Sequence, residues 1–224
     1  MTESLLIPII MTIVGAATPI LLAALGELVV EKSGVLNLGV EGMMLIGAVT
    51  GFAVTAITGY APLGVVAAMI AAAASAGLFG FLTLTLTANQ VATGLALTIF
   101  GIGLSALAGE NYVGQTVDVF GSVFPAALSE HPVLRVIFGY SPLVYISLLL
   151  VAAVSWFLRK SRGGLILRAV GESDLSAHSI GYSVIGVRYM AVLFGGAMAG
   201  IAGCFYSLVL TPMWAEQLTA GRGW

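Results

Sequence analysis

The sequence predicts an all-α fold, a polytopic helical membrane protein with about six spans. Three observations carry that reading. Of 224 residues, 59% are apolar and only 8% charged, where soluble domains run at about 45–50% and about 25%. Long stretches carry no charge at all. The basic residues cluster, five of the eight falling between 159 and 188. Eight basic and ten acidic side chains cannot build a polar shell around a chain of this size. A soluble globular domain and a disordered chain are both excluded.

A crossing helix needs roughly 20 apolar residues, since about 30 Å of hydrocarbon is covered at 1.5 Å per residue. Leu5 to Gly26 is uncharged and makes the first span. Gly42 to Gly109 holds no charge in 68 positions, roughly 100 Å of helix or about three crossings. Turn signals at Thr58-Gly59-Tyr60-Ala61-Pro62 and Thr87-Ala88-Asn89-Gln90 divide it. The resulting spans are 36–58, 62–86 and 90–108. Ser141-Pro142 starts a fifth at 142–158, and 189–210 is the sixth. The 109–141 loop carries Glu110, Asp118, Glu130, His131 and Arg135, with prolines at 125 and 132. It is too long for a simple turn and is expected to hold a short surface helix.

Lys and Arg set the orientation. Arg159, Lys160, Arg162, Arg168 and Arg188 put the 159–188 loop in the cytoplasm by the positive-inside rule. Alternation then puts Lys32 inside, Arg135 and Arg222 outside, and the N-terminus outside.

Catalytic chemistry finds no foothold. The single cysteine, Cys204, excludes an intrachain disulfide and a thiolate metal cluster. His131 and His178 share no helix face. There is no Ser, His and acid set and no P-loop, so the chain is expected not to be an enzyme and to bind no metal. Gly101-Ile-Gly103-Leu-Ser-Ala106 fits a dinucleotide fingerprint only on paper, because no strand precedes it. The pairs Gly47/Gly51 and Gly196/Gly200 are GxxxG motifs, for which internal helix packing is preferred over a subunit contact. Cys204 reads as a small packing residue.

The informative residues are those expensive at membrane depth, where a charge costs at least about 2.5–3.5 kcal/mol. Segment 26–47 holds three carboxylates, one lysine, one asparagine and five glycines. Glu27 and Glu31 are four apart, as are Asn37 and Glu41, so each pair would share a helix face. One reading is a helix break lining a polar path. The other is an ordinary turn with Asn37 as N-cap and Glu41 in the next helix's first turn. Asn89 and Gln90 form a second polar spot among Thr83, Thr85, Thr87 and Thr93. These suit a hydrogen-bonding, uncharged solute, or the threonines simply bond back to helix carbonyls. The 159–188 loop reads as two short amphipathic helices, the second capped by Ser173 and Asp174 and running to about Ile180. Such a pair makes a docking surface for a soluble partner.

Gly164-Leu-Ile-Leu-Arg-Ala-Val-Gly-Glu172, followed by Ala177 and Gly181, resembles the coupling loop of ABC-importer permeases. Ala24-Leu-Gly with Glu31-Lys-Ser-Gly-Val-Leu-Asn-Leu-Gly-Val-Glu-Gly-Met-Met-Leu-Ile-Gly-Ala48 resembles the branched-chain amino acid/ribose permease superfamily, nearest its nucleoside (simple-sugar) branch. Asn89-Gln-Val-Ala-Thr-Gly-Leu-Ala-Leu97 and Leu218-Thr-Ala-Gly-Arg-Gly-Trp224 are similar to the same branch. The resemblance implies a single transmembrane permease domain over 1–224, with 159–188 as its cytoplasmic coupling loop, in the plasma (inner) membrane of a prokaryote. It implies ATP-driven import of nucleosides or similar small polar solutes, with simple sugars or branched-chain amino acids as alternative cargo. The implied partners are a cytoplasmic ABC ATPase that binds the ATP and Mg, a second and different permease subunit, an extracytoplasmic substrate-binding protein, and membrane lipid. No cofactor is expected in this chain and no nucleic acid. Carried over, Gly164, Arg168, Gly171, Glu172, Ala177 and Gly181 belong to ATPase coupling; Asn37, Glu41, Asn89 and Gln90 are the pathway candidates. Family members run longer, so the sequence reads as a C-terminally truncated fragment. A stand-alone secondary transporter or channel is the competing class, but no clear internal repeat supports it.

Overall fold

The computed structural model describes residues 2–118, 120–122, 124 and 134–224, with side chains from residue 6 onward. Nine α-helices are described: α1 (Thr2–Lys32), α2 (Val40–Thr58), α3 (Ala61–Gly80), α4 (Gln90–Gly109), α5 (Arg135–Phe138), α6 (Pro142–Lys160), α7 (Arg162–Glu172), α8 (Asp174–Ser179) and α9 (Val184–Phe205). π-helical turns extend α3 over Phe81–Thr85 and α9 over Tyr206–Leu210. Six helices are long and apolar enough to cross a membrane: Leu6–Lys32, Val40–Thr58, Ala61–Thr85, Gln90–Tyr112, Pro142–Lys160 and Val184–Leu210. The described residues contain isolated β-bridges but no strand.

Three boundaries differ from expectation, each for a local reason. α1 continues to Lys32, because Glu27 and Glu31 do not break a helix; Gly34, at φ +82, follows the end. α2 starts at Val40 and not at 36, leaving 33–39 as a non-helical link. α9 starts five residues early, at Val184, because the Ser183 hydroxyl accepts the Gly186 N–H at 3.2 Å. The Ser141-Pro142 start and the Gly59 turn (φ +69) stand as read.

α2 and α9 form the centre, with 72% and 78% of their apolar stretches buried. They run side by side in the same direction, Gly47 facing Gly200 and Gly51 facing Cys204. A Cβ on Gly203 would overlap the Met44 carbonyl oxygen. Close approach of this kind lets dispersion hold helices that lipid does not push together. The GxxxG pairs thus pack within the chain, and Cys204 is a buried packing residue, as expected. Gly101 lies against the Gly42 backbone, so it serves the α2–α4 crossing and not a phosphate. α1, α3, α4 and α6 surround this centre and turn apolar side chains outward. Ile99, Leu107 and Leu149 are 70–73% exposed, a surface suited to hydrocarbon.

Within the 109–141 loop, α5 is a short helix. Val113 and Thr116 bridge to Trp214 and Met213. Glu130, His131 and both loop prolines lie outside the described residues. After Leu210 the chain turns back without regular helix. Trp214 is buried against Gly109 and Phe52, and Gly221 and Gly223 reach Glu41 in the first turn of α2. Arg222 lines one cavity with Glu31 and Val40, and its guanidinium lies 5.4 Å from the Tyr206 ring centroid near the end of the last span.

Candidate functional site

The polar residues singled out from sequence gather where α1 ends and α4 and α9 begin, with the start of α2 set deeper, since Gly42 packs on Leu97 and Thr98 of α4 and Gly47 on Gly200 of α9. The 33–39 link organises them. Non-helical backbone near a membrane needs partners for every N–H and C=O, and neighbouring helices supply them. The Leu36 N–H donates to Gln90 Oε1 at 2.8 Å, and the Asn37 N–H to Glu27 Oε1 at 3.2 Å. The Leu38 carbonyl accepts from the Thr98 hydroxyl at 3.1 Å, and the Ser33 carbonyl from Arg188 Nε at 3.1 Å. Asn37 Oδ1 accepts the Gly39 N–H at 3.0 Å, closing an Asx turn. Asn37 is thus not the N-cap of α2. Gly39 holds that position and makes no side-chain cap bond.

Glu41 is 4% exposed. Its Oε1 accepts the Thr219 hydroxyl at 2.5 Å and the Gly221 N–H at 2.8 Å; its Oε2 accepts the Gly223 N–H at 2.5 Å. The carboxylate is a clamp on the returning C-terminal segment. Asn89 is the N-cap of α4, its Oδ1 accepting the Ala92 N–H at 3.0 Å. Asn37 and Gln90 therefore converge on the link, Asn89 caps the neighbouring helix, and Glu41 holds 219–223. Of the nearby threonines, Thr83 bonds back to the Phe79 carbonyl, while Thr85 pairs with the Tyr189 hydroxyl at 2.6 Å.

A cavity of about 360 Å³ opens beside this cluster, lined by Glu27, Glu31, Arg222 and Trp224 against the α1 residues Ile20 and Ala24. Glu27 Oε2 is buried without a hydrogen-bond partner. Sequence reasoning did not place Glu27, Arg188, Thr219 or Gly223 in the site. The i, i+4 spacing of Glu27 and Glu31 is a local signal for one of them. The other contacts span 155 residues or more and leave none.

Of the 159–188 stretch, 159–160 and 184–188 belong to α6 and α9, and 161–183 holds the two expected short helices, with Asp174 the first residue of the second and not its cap. Ser161 caps α7 by accepting the Gly164 N–H at 2.9 Å, and Ser173 caps α8 through the Ser176 N–H at 3.3 Å. Gly164 sits on the Phe157 carbonyl at the end of α6, and Gly171 on the Lys32 carbonyl at the end of α1. No side chain fits at either contact. Leu167, Val170 and Ala177 are buried, fixing α7 and α8 to the bundle. Arg168 and Glu172 share a pocket of about 400 Å³ with Glu31 and Lys32. Gly181, at φ +89, turns the chain toward α9. Leu165, Leu175, Ile180 and Ile185 face outward, Leu175 at 85% exposure. Among the described residues, no group of three His, Cys, Asp or Glu lies together as a metal would require.

Residues 9–224 match the family described as branched-chain amino acid transport system, permease component. The chain belongs to that family. It is 42% identical over 216 residues to the putative glucose ABC transporter permease protein TsgC13 of Haloferax volcanii, covering 94% of this chain and 66% of that protein. It is 31% identical over 221 residues to the guanosine ABC transporter permease protein NupQ of Bacillus subtilis, covering 92% and 69%. It is 26% identical over 219 residues to the nucleoside ABC transporter permease protein NupC of Lactococcus lactis, also covering 92% and 69%. The chain spans about two thirds of the length of these relatives. No solved structure matches. As a permease-family chain with six apolar crossing helices, it is a multi-pass membrane protein.

Proposed function

We propose that this chain is the membrane-spanning permease subunit of an ATP-driven importer, moving nucleosides or related small polar solutes across the inner membrane of a prokaryote. The observation that carries the reading is the 161–183 loop. It presents two short helices, rigidly seated on α1 and α6, with Leu165, Leu175 and Ile180 exposed. Apolar side chains projecting among charges, at the basic end of a membrane bundle, suit a soluble partner better than lipid or water. That partner is the ABC ATPase, which binds the ATP and Mg; this chain itself catalyses nothing. Gly164, Gly171, Ala177 and Gly181 shape the docking element, and Arg168 and Glu172 give it charge.

Asn37, Glu41, Asn89 and Gln90 stand at the cytoplasmic end of the pathway. Their side chains are committed to backbone groups, so they shape the pathway wall. A second, different permease subunit completes the translocation unit, and an extracytoplasmic binding protein delivers the solute. Nucleosides lead over sugars because two of the three relatives described carry nucleoside or guanosine in their names.

The test is reconstitution of the whole natural assembly: this permease, the second permease, the ATPase and the binding protein. ATP hydrolysis is measured with binding protein that is empty or loaded with guanosine, adenosine or glucose. Stimulation by nucleoside supports the reading. Stimulation by glucose alone keeps the machine and changes the cargo. Failure of any ATPase to associate removes the coupling assignment and favours a stand-alone carrier.

A further inference from the structure

Arg188, in the first turns of α9, touches two other elements at once. Its Nε donates to the Ser33 carbonyl at 3.1 Å, just past the end of α1. Its Nη2 lies 3.5 Å from Asp174 Oδ2, the first residue of α8. The last carbonyls of a helix lack intrahelical partners and carry partial negative charge, so a guanidinium there is well placed. The Asp174 contact is of another kind. The two side chains are 21% and 60% exposed, and an exposed ion pair adds little to stability. Its value is geometric, because the planar fork of arginine holds two partners in fixed relation.

The Ser33 carbonyl is the first group of the 33–39 link. Next along, Gly34 packs on Gly171 at the end of α7 and within 3.3 Å of the Arg188 guanidinium for an added Cβ. The link then bonds Gln90 through Leu36, Glu27 through Asn37, and Thr98 through Leu38. A displacement of α7 and α8 reaches α1, α2 and α4 through one short segment, and Arg188 is where the loop, the link and α9 meet.

We propose that Arg188 is a positioning residue for energy coupling: it ties the 161–183 loop to the 33–39 link, so that movement of the loop is delivered to Glu27, Gln90 and helix α4. The proposal rests on the importer reading above and adds to it the route by which docking is transmitted.

The test is solute taken up per ATP hydrolysed, measured in vesicles bearing the whole assembly, for the wild type, Arg188→Ala, Arg188→Lys and Asp174→Asn. Arg188→Ala is expected to keep the ATPase bound and hydrolysing while uptake per ATP falls on the order of fivefold or more, the low end of ordinary coupling free energies. Arg188→Lys holds one partner at a time and falls between. Asp174→Asn also lowers the ratio, and because Asp174 is largely exposed it carries the test if Arg188→Ala fails to accumulate. A ratio unchanged in these variants, or uptake and hydrolysis falling in proportion, overturns the proposal and leaves Arg188 a structural cap. A wild-type assembly with no bound ATPase or no ATP-dependent uptake is a distinct result, and it overturns the importer reading and this one together.

Discussion

Glu41 offers a sharp energetic test, because one buried carboxylate holds three donors from 178 to 182 residues away. Hydrogen bonds to a charged acceptor contribute about 1.5–3 kcal/mol each, and a buried donor left unpaired costs about 1–3 kcal/mol. In Glu41→Ala the Thr219 hydroxyl can rotate toward another acceptor, but the Gly221 and Gly223 N–H groups are orphaned, a cost of about 4 kcal/mol. In Glu41→Gln the amide oxygen can replace Oε1 and keep two bonds, while the NH₂ faces the Gly223 N–H, donor against donor, at about 2 kcal/mol. Gly223→Ala tests the same contact from the other side. Its Cβ would lie 2.6 Å from Oε2 and 2.8 Å from Cα of Glu41, and the Cα cannot rotate away. The penalty falls on the 215–224 segment, which can open while the bundle stays folded. Amide exchange of a 213–224 peptide in nanodiscs reads it directly. At tenfold per 1.4 kcal/mol, Glu41→Gln should speed exchange of the Gly221 and Gly223 amides roughly thirtyfold, and Glu41→Ala several hundredfold or more. Exchange in the centre of α9 should be unchanged. If exchange at 219–223 in Glu41→Ala stays within about twofold of wild type, the clamp is refuted, since even one lost bond of ~1.5 kcal/mol predicts more.

Other expectations follow from single contacts. Glu172→Lys should abolish uptake by the assembled transporter with membrane insertion intact; normal uptake would remove Glu172 from the docking surface. Glu41→Gln should impair uptake without loss of bound ATPase, read by co-purification and flux together. Gly203→Ala, whose Cβ would overlap the Met44 carbonyl, should force α2 and α9 apart at about 1–3 kcal/mol and lower the melting temperature in detergent. Gly103→Ala, with open space around its Cβ, should be neutral or stabilising by up to ~1 kcal/mol on helix propensity; the opposite order of the two would contradict the packing.

What was legible in the sequence was what local chemistry decides. Uncharged runs of crossing length located all six spans, because the bilayer is a ruler that composition alone can meet. The two short helices of the 159–188 loop were readable, because Ser173 caps the second through a contact three residues away; the Ser161 cap of the first was not read, although its contact is as local. The helix ends around 26–40 were misplaced, because charge there suggested a break where α1 runs on to Lys32. Both readings of Asn37 and Glu41 missed the real partners. A glutamate in the first turn of a helix looks the same in sequence whether it serves the helix dipole or a chain segment from 178 residues away.

The physical cost of irregular backbone explains why the polar residues gather where they do. Two non-helical stretches, the 33–39 link and the 215–224 return, meet beside the start of α2, and neither satisfies all of its own N–H and C=O groups, although Ala220, Arg222 and Trp224 donate to Gln217, Thr219 and Gly221 within the return. Each is satisfied by a side chain from another element: Gln90, Glu27, Thr98 and Arg188 for the link, Glu41 for the return. A residue so placed cannot be lost without orphaning backbone. α1, α2, α4, α7 and α9 all meet through these bonds and the Gly171 contact. The polar groups that the membrane makes expensive are therefore those that tie several helices together, and on the coupling route proposed above the exposed 161–183 loop would act through them.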